Sequence, residues 1–185
     1  MADDQPLIGA EEIRALLTEL GARLHERGIE GRLFLVGEAA MALAYSRTRI
    51  TRDLDGVFEP KMIIYEEAAK LAEERGLPPD WLNDGVKGLM PDKKRPVEGS
   101  GIFSAPGIHV GVASAEYLFA MKAAAARQEV DADDLRTLMK VLGITTADDA
   151  LALVERFYAP SRLSVKTQLL LEDLAEELGD GSSGR

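Results

Sequence analysis

The sequence contains no cysteine and only two histidines among its 185 residues. Without cysteine it has no disulfide, no thiol nucleophile and no zinc–thiolate site. The histidines, His25 and His109, do not have the spacing of metal ligands, and no serine-nucleophile elbow or P-loop occurs. We interpret His109, in the middle of an apolar segment, as a core or edge-strand histidine. These absences exclude thiol chemistry and the common zinc and P-loop sites.

Long apolar runs are missing as well. No segment approaches the roughly 18 residues of a membrane span, and no signal peptide opens the chain. We therefore expect a cytoplasmic protein with no membrane partner. The apolar fraction of 46% is normal for a globular protein and excludes wholesale disorder.

Acidic residues outnumber basic ones, which gives a formal net charge of −10. This charge argues against non-specific coating of nucleic acid. Basic residues nevertheless form two clusters, one with Arg47, Arg49 and Arg52 and the other with Lys87, Lys93, Lys94 and Arg95. Such patches suit a small anionic ligand or one restricted contact with RNA, and a solvated surface is the alternative.

Hydrophobic periodicity predicts an α/β protein, in the α+β sense, with a small mixed sheet of three or four strands. Helices are predicted over residues 11–27, 38–45, 62–75, 115–127, 131–142, 147–158 and 165–178, and strands over 32–36, 51–58 and 108–112. A poor fourth strand is expected at 101–104, and a short helix is expected to start at Pro79 and Asp80. Residues 10–113 form the predicted α/β core, residues 114–178 the helical region, and residues 1–9 and 179–185 flexible tails.

Helix caps support these boundaries. Ser114 is a predicted N-cap, and Thr146 with Asp149 resembles a capping box. Asp131 and Asp134 fit a helix N-terminus, where Asp131 would cap the helix and Asp134 would favour its dipole.

Two aspartates one residue apart, Asp53 and Asp55, lie in the predicted strand 51–58. Side chains alternate along a strand, so both would lie on one face with Cα atoms roughly 6.5–7 Å apart. Two adjacent like charges destabilise a strand unless a cation compensates them, and carboxylate oxygens suit a divalent cation. The pair predicts a metal-dependent reaction on phosphates, and a solvated face is the alternative.

Gly37 ends the preceding predicted strand, and the chain enters a helix at Glu38. Free N–H groups at a helix N-terminus bind phosphate, and a glycine leaves room for it. An anion site would then lie beside the cation site, as in-line attack on a metal–nucleotide requires. A simple helix-entry turn is the alternative.

Lys122 lies in a helix rich in alanine and methionine. An unpaired ammonium group is costly to bury, so we expect a carboxylate or phosphate partner, with Asp53 and Asp55 as candidates. Alternatively, the side chain reaches the surface.

At these residues the chain resembles the bacterial nucleotidyltransferase-like proteins of the polymerase-beta superfold. It looks closest to the group related to AbiEii, the toxin of type IV toxin–antitoxin pairs. In that family a strand ends in Gly-Gly or Gly-Ser, a helix follows, and Thr-x-Asp-hydrophobic-Asp comes next. A later helix carries a lysine, an arginine and Asp-x-x-Asp-Leu, and one branch contains Leu-Pro-x-Asp-Trp-Leu-Asn. The matching residues here are Gly37-Glu38, Thr51-Arg52-Asp53-Leu54-Asp55, Lys122, Arg127, Asp131, Asp134, Leu135 and the segment 77–84.

The resemblance implies a transfer of a nucleotidyl group from a nucleoside triphosphate to a hydroxyl on tRNA or protein. It further implies that Asp53 and Asp55 bind Mg²⁺ (or Mn²⁺) and that Lys122 and Asp134 complete the catalytic site. Gly37 would contact the triphosphate, with Glu38, Thr51 and Arg52 also on the nucleotide side. The implied partners are a cognate antitoxin or a second copy of the chain.

Two residues depart from the family pattern. Glu38 replaces the small second residue of the turn, and its carboxylate would repel the triphosphate unless it turns away or joins the metal site. The third acid usual on the strand 108–112 is absent, and His109 occupies the middle of that strand.

The alternative function is therefore a catalytically degenerate member of the fold that acts as a binding or antitoxin-like partner. Its docking residues, on another chain or on the domain itself, would be the leucines of the last helix, Leu169, Leu170, Leu171, Leu174 and Leu178.

Overall fold

The computed structural model describes residues 7–46, 48–93, 98–99 and 102–182. Seven α-helices and a five-stranded mixed sheet occur in this part of the chain, which confirms the predicted α+β class. The chain divides into two compact units, Met1–Gly88 with Glu98–Ala113, and Leu89–Val97 with Ser114–Arg185. The segment Leu89–Val97 thus groups with the helical unit, whereas the sequence assigned it to the α/β core.

The α/β unit is built on a sheet with strand order β3-β2-β1-β5-β4. The central strand β1 (Gly31–Leu35) is antiparallel to β2 (Leu54–Glu59) and parallel to β5 (Ile108–Val112). A short strand β3 (Leu82–Asn83) runs parallel to β2, and β4 (Phe103–Ala105) is antiparallel to β5. The prediction of three or four strands missed β3. This strand has only two residues, which are too few to give a periodic hydrophobic pattern.

Helices α1 (Ala10–Glu26) and α3 (Lys61–Arg75) cover one face of this sheet. A Cβ atom built on Gly31 of β1 would lie 2.7 Å from Leu24 of α1 and 3.4 Å from Ile64 of α3. Because side chains alternate along β1, Leu33 and Leu35 share this face and are buried. The opposite face carries Arg32 and Phe34.

The strand with the aspartate pair is shorter at its start than predicted. Strand β2 begins at Leu54, so Asp55 lies in the strand but Asp53 precedes it. The Thr51 side chain donates a hydrogen bond to the Asp53 carbonyl (2.8 Å), a local bond that competes with strand pairing. The helix after β1 also differs, because α2 covers only Gly37–Ala40 and a π-helical turn, Met41–Tyr45, continues it.

The segment 77–84 forms no helix at Pro79 and Asp80, contrary to the prediction. It makes a turn, enters β3 and continues as a 3₁₀ helix, Gly85–Leu89. Trp81 anchors this segment: it is fully buried, and its indole N–H donates to the Ala68 carbonyl at 3.0 Å. The Leu54 N–H donates to the Trp81 carbonyl at 2.6 Å, so the anchor also fixes the start of β2.

The helical unit contains α4 (Ala115–Ala125), α5 (Gln128–Leu142), α6 (Ala147–Glu155) and α7 (Val165–Ser182). Ser114 caps α4 and Thr146 with Asp149 caps α6, as predicted. Three of the α7 leucines, Leu170, Leu171 and Leu174, are buried, and Leu169 is exposed.

The chain ends differ in part from the predicted tails. Ile8 is buried and forms an isolated β-bridge with Thr51, and α7 continues past residue 178 to Ser182. Parts of the predicted tails and of the predicted fourth strand lie outside the described residues, namely 1–6, 183–185 and 101. The same holds for three residues of the basic clusters, Arg47, Lys94 and Arg95. In the described part of the chain no helix is long and apolar enough to cross a lipid bilayer.

Replacing Trp81 tests the anchoring of β3. We expect Trp81→Ala to lower the free energy of unfolding by about 3–5 kcal/mol, because it leaves a large cavity and the Ala68 carbonyl loses its donor. Met62→Ala, at a side chain that is 75% exposed on the same helix as Ala68, should change it by no more than about 0.5 kcal/mol. Urea unfolding followed by circular dichroism measures both, and equal losses would contradict the anchoring role.

Candidate functional site

The turn at Gly37 lies directly against Asp55. The Val36 N–H donates to the Asp55 carbonyl at 2.9 Å, which places the end of β1 beside the start of β2. Gly37 has a φ of +62°, and a Cβ atom there would lie 3.2 Å from Oδ2 of Asp55. The left-handed backbone and the close carboxylate both favour glycine. The predicted juxtaposition of this turn and the aspartate strand is confirmed.

Asp53 lies in the same region, but it precedes β2, so the alternation of side chains along a strand does not place it there. Its carboxylate Oδ2 accepts a hydrogen bond from Nδ2 of Asn83 at 3.2 Å. The Cα of Asn83 in turn pairs with Asp55 across β3 and β2. Asn83 therefore neighbours both aspartates, which places the pair together although Asp53 lies outside the strand.

The charge of Asp53 has no compensating base in the described part of the chain. Asn83 is the only side chain that contacts its carboxylate there, and the carboxylate is half-buried. Burial is the largest influence on the pKa of Asp53 and raises it, and the charges of Asp80 and Glu38 act in the same direction. The Asn83 amide opposes this rise by stabilising the ionised form. A half-buried carboxylate without a basic partner fits a cation-binding role.

The chemistry of the donor set agrees with a hard divalent cation. Asp53 and Asp55 offer carboxylate oxygens, which are the ligands that Mg²⁺ and Mn²⁺ prefer. The Asn83 amide oxygen is engaged, because it accepts from the Gly85 N–H at 3.0 Å. The two aspartates are therefore the residues of this region that fit a metal.

The carboxylate of Glu38 is paired with the basic side chain of Arg49. The carboxylate forms an ion pair and hydrogen bond with Nε of Arg49. This pairing offsets the negative charge that would repel a triphosphate at the Gly37 turn. Arg49 is a residue whose role the sequence did not predict, because the contact spans eleven positions and no local pattern marks it.

Thr51 and Arg52 play different parts in the turn before β2. Thr51 is buried, and its hydroxyl bonds the Asp53 backbone, so it shapes the turn that carries the aspartate. Arg52 is exposed.

Lys122 and Asp134 belong to the helical unit. Nζ of Lys122 lies 2.7 Å from Oδ1 of Asp131 and 2.8 Å from Oδ2 of Asp134, and all three side chains are buried. Burial is the largest influence on the pKa of Lys122 and lowers it, but the two carboxylates outweigh it and the net shift is upward. The expectation that this buried lysine has carboxylate partners is confirmed. The prediction that Asp131 is an N-cap was wrong. Helix α5 starts three residues earlier, at Gln128.

His109 has partners that its sequence neighbours did not indicate. Its Nδ1 lies 2.9 Å from Oγ of Ser104, and its Nε2 lies 3.5 Å from Oε1 of Glu98. The side chain is 44% exposed on a strand with neighbours on both sides, so it is neither a core nor an edge histidine. The interpretation from sequence was wrong because only one face of β5 is covered by α1.

An open groove of about 670 Å³ follows the sheet face opposite α1 and α3. Phe34 and Val57 line it together with the polar side chains of Arg32 and His109. Asp55 lies two residues before Val57 in β2 and therefore shares this face.

Replacing Gly37 tests the contact with Asp55. Gly37→Ala and Gly76→Ala both put a side chain at a positive φ, which costs about 1–2 kcal/mol. A Cβ atom at Gly76 meets nothing within 4 Å, whereas one at Gly37 meets Asp55. Gly37→Ala should therefore destabilise the protein more than Gly76→Ala in urea unfolding, and an equal loss would show that the contact has no energetic weight.

Asp53 and Asp84 are expected to change the pH dependence of stability in opposite directions. The pKa of Asp53 is raised above its ordinary 3.8, so its ionisation disfavours folding as pH rises through and above that value. Asp53→Asn should thus raise the melting temperature at neutral pH, and the gain should vanish in acid.

Asp84 provides the control of opposite sign. Hydrogen bonds from Lys61, Lys87 and Tyr65 hold the pKa of Asp84 well below its ordinary value, so its stabilisation is present above 3.8 and is lost in acid. Asp84→Asn should lower the melting temperature at neutral pH and have little effect in strong acid. Thermal unfolding over a pH series measures both variants, and shifts of the same sign would contradict the assignment.

Comparison with known proteins adds no relative on which this site could be mapped. The chain matches no protein-family model, no curated protein and no solved structure. The likeness to the nucleotidyltransferases accordingly rests on the residues of this chain and stays a prediction.

Proposed function

We propose that this protein is a metal-dependent nucleotidyltransferase that moves a nucleotidyl group from a nucleoside triphosphate to a hydroxyl acceptor, with pyrophosphate as the leaving group and loss of the hydroxyl proton. The observation that carries the proposal is the half-buried carboxylate of Asp53, which has no basic partner in the described residues and lies beside Asp55. A bound cation would stabilise the ionised form of a carboxylate in this position. The contact between Asp55 and Gly37 supports the proposal, because it puts the metal ligands next to an open backbone turn.

In this proposal Asp53 and Asp55 hold Mg²⁺ or Mn²⁺. The bound metal would neutralise triphosphate charge and polarise the phosphorus that is attacked. Gly37 puts no side chain between the turn and a phosphate, while the short α2 contributes little helix dipole. Arg49 keeps Glu38 from repelling the triphosphate, which supports activity despite the unusual residue.

The remaining residues have supporting parts. Thr51 holds the turn of Asp53, and Arg52 is an exposed base in the same turn. Lys122 and Asp134 enter the proposal on the family resemblance alone, since the ion pairs of Lys122 with Asp131 and Asp134 already account for the burial of the lysine. The groove along the sheet face that Asp55 shares offers room for the nucleoside or for the acceptor.

The acceptor class follows from the same resemblance. We propose a hydroxyl of tRNA or of a protein side chain, in the cytoplasm, with a cognate antitoxin or a second copy of the chain as partner. The second candidate function is a catalytically degenerate binding partner. It is favoured by the exposed apolar side chains at the start of α7, where Val165 is 71% and Leu169 54% exposed.

The decisive experiment measures transfer from each of the four α-labelled nucleoside triphosphates, with Mg²⁺ or Mn²⁺, to total tRNA and to cell extract. We expect Asp53→Asn and Asp55→Asn each to lower transfer by at least about 10²-fold, because each removes charge at the reacting phosphate. Asp148→Asn, the same change at an exposed position of α6, is the matched control and should keep full activity.

A chain that transfers none of the four nucleotides and releases no heat with them in calorimetry would overturn the proposal. Transfer that survives Asp53→Asn would move the reaction to another site. Formation of a stable complex that is unchanged by Asp53→Asn, without transfer, would favour the binding partner instead.

A further inference from the structure

Asn83 is the only asparagine in the chain. Its side chain donates a hydrogen bond to Asp53, and its backbone pairs with Asp55. We propose that Asn83 is a positioning residue, which holds the Asp53 carboxylate beside Asp55 so that the pair can bind a divalent cation. This inference rests on the proposed function.

The backbone of Asn83 is fixed on both sides. Strand β3 pairs with β2 in the register Leu54 with Leu82 and Asp55 with Asn83. Two residues earlier, Trp81 is buried and its carbonyl accepts the hydrogen bond of the Leu54 N–H. One residue later, Asp84 is held by the Tyr65 hydroxyl at 2.6 Å and by Lys61 and Lys87. The side chain therefore starts from a rigid backbone, as a residue that orients another must.

The orientation of the Asn83 amide group follows from its own hydrogen bonds. Its oxygen accepts from the Gly85 N–H at 3.0 Å, so its nitrogen must be the atom that faces Asp53. The amide accepts from Gly85 through its oxygen and donates to Asp53 through its nitrogen at the same time. An aspartate here would satisfy Gly85 but would place a second negative oxygen against the first.

Asp53 needs such a partner because it lies outside the strand. Its backbone is held by Thr51, but Asn83 is the only side chain that restrains its carboxylate in the described residues. The amide donates to Oδ2 of this carboxylate. Residues that orient a metal ligand in this way typically change metal affinity 10- to 100-fold when they are removed.

The test measures Mn²⁺ binding to the full chain without nucleotide, by electron paramagnetic resonance of the free ion. We expect Asn83→Ala to weaken Mn²⁺ affinity by about 10- to 100-fold and Asp53→Ala to abolish binding. The matched control is Thr18→Ala, which also removes one side-chain hydrogen bond but at an exposed position of α1 outside the site, and it should bind Mn²⁺ like the wild type.

A second readout needs no Asn83 variant and so does not depend on the folding of one. Labelling with ¹⁵N-asparagine gives a single pair of side-chain amide signals, because the chain has one asparagine. We expect Mn²⁺ to broaden this pair in the wild type but not in Asp53→Ala. In the metal-free Asp53→Ala chain the amide protons should exchange faster, because their acceptor is gone.

The outcomes separate the inference from the proposed function. Mn²⁺ binding that is lost in Asp53→Ala but unchanged in Asn83→Ala would overturn the positioning role and leave the nucleotidyltransferase proposal standing. Mn²⁺ binding that depends on both residues, in a chain that transfers no nucleotide, would support the positioning role and overturn the proposed reaction. A wild type that binds no Mn²⁺ would overturn both.

Discussion

The candidate site depends on strand β2 being held between two different neighbours. On one side the Val36 N–H bonds the Asp55 carbonyl, and on the other the Leu54 N–H bonds the carbonyl of the buried Trp81. These bonds fix the first residues of β2, which include Asp55 and directly follow Asp53. Because the Gly37 turn follows β1 and Asn83 ends β3, the pairing of the three strands brings both to the aspartates at once. Loss of either pairing would separate the groups that the proposed reaction needs.

The buried charges of this protein are compensated in two ways. Lys122 is 4% exposed and has two carboxylate partners, and Asp84 has two lysines, so each charge is matched within its own unit. Asp53 differs, because in the described residues its carboxylate meets only the neutral amide of Asn83. A fold that pairs Lys122 and Asp84 with opposite charges and leaves Asp53 with a neutral donor keeps an acceptor available for a ligand. This contrast favours a cation site at Asp53 over a purely structural role.

Prediction from sequence was most reliable where one local pattern decides the conformation. The apolar strand 108–112, the cap at Ser114 and the capping pair Thr146–Asp149 were predicted as the structure has them. It was wrong where two conformations compete locally. The hydroxyl of Thr51 bends the chain where alternation predicted a strand, and the segment after Pro78 enters β3 because Trp81 anchors it, although Pro79 and Asp80 suit a helix start. These segments contain much of the candidate site.

The sequence by itself determined the α+β class, the glycine turn before the aspartates and the need of Lys122 for carboxylate partners, since each follows from local periodicity or from the cost of burying a charge. Only the tertiary structure decided which residues complete the site. Arg49 reaches Glu38, and Asn83 reaches Asp53. The aspartate pair itself is held together by strand pairing and by Asn83 rather than by alternation along one strand. Such contacts join residues that are distant along the chain, and no spacing rule specifies them before the strands have paired.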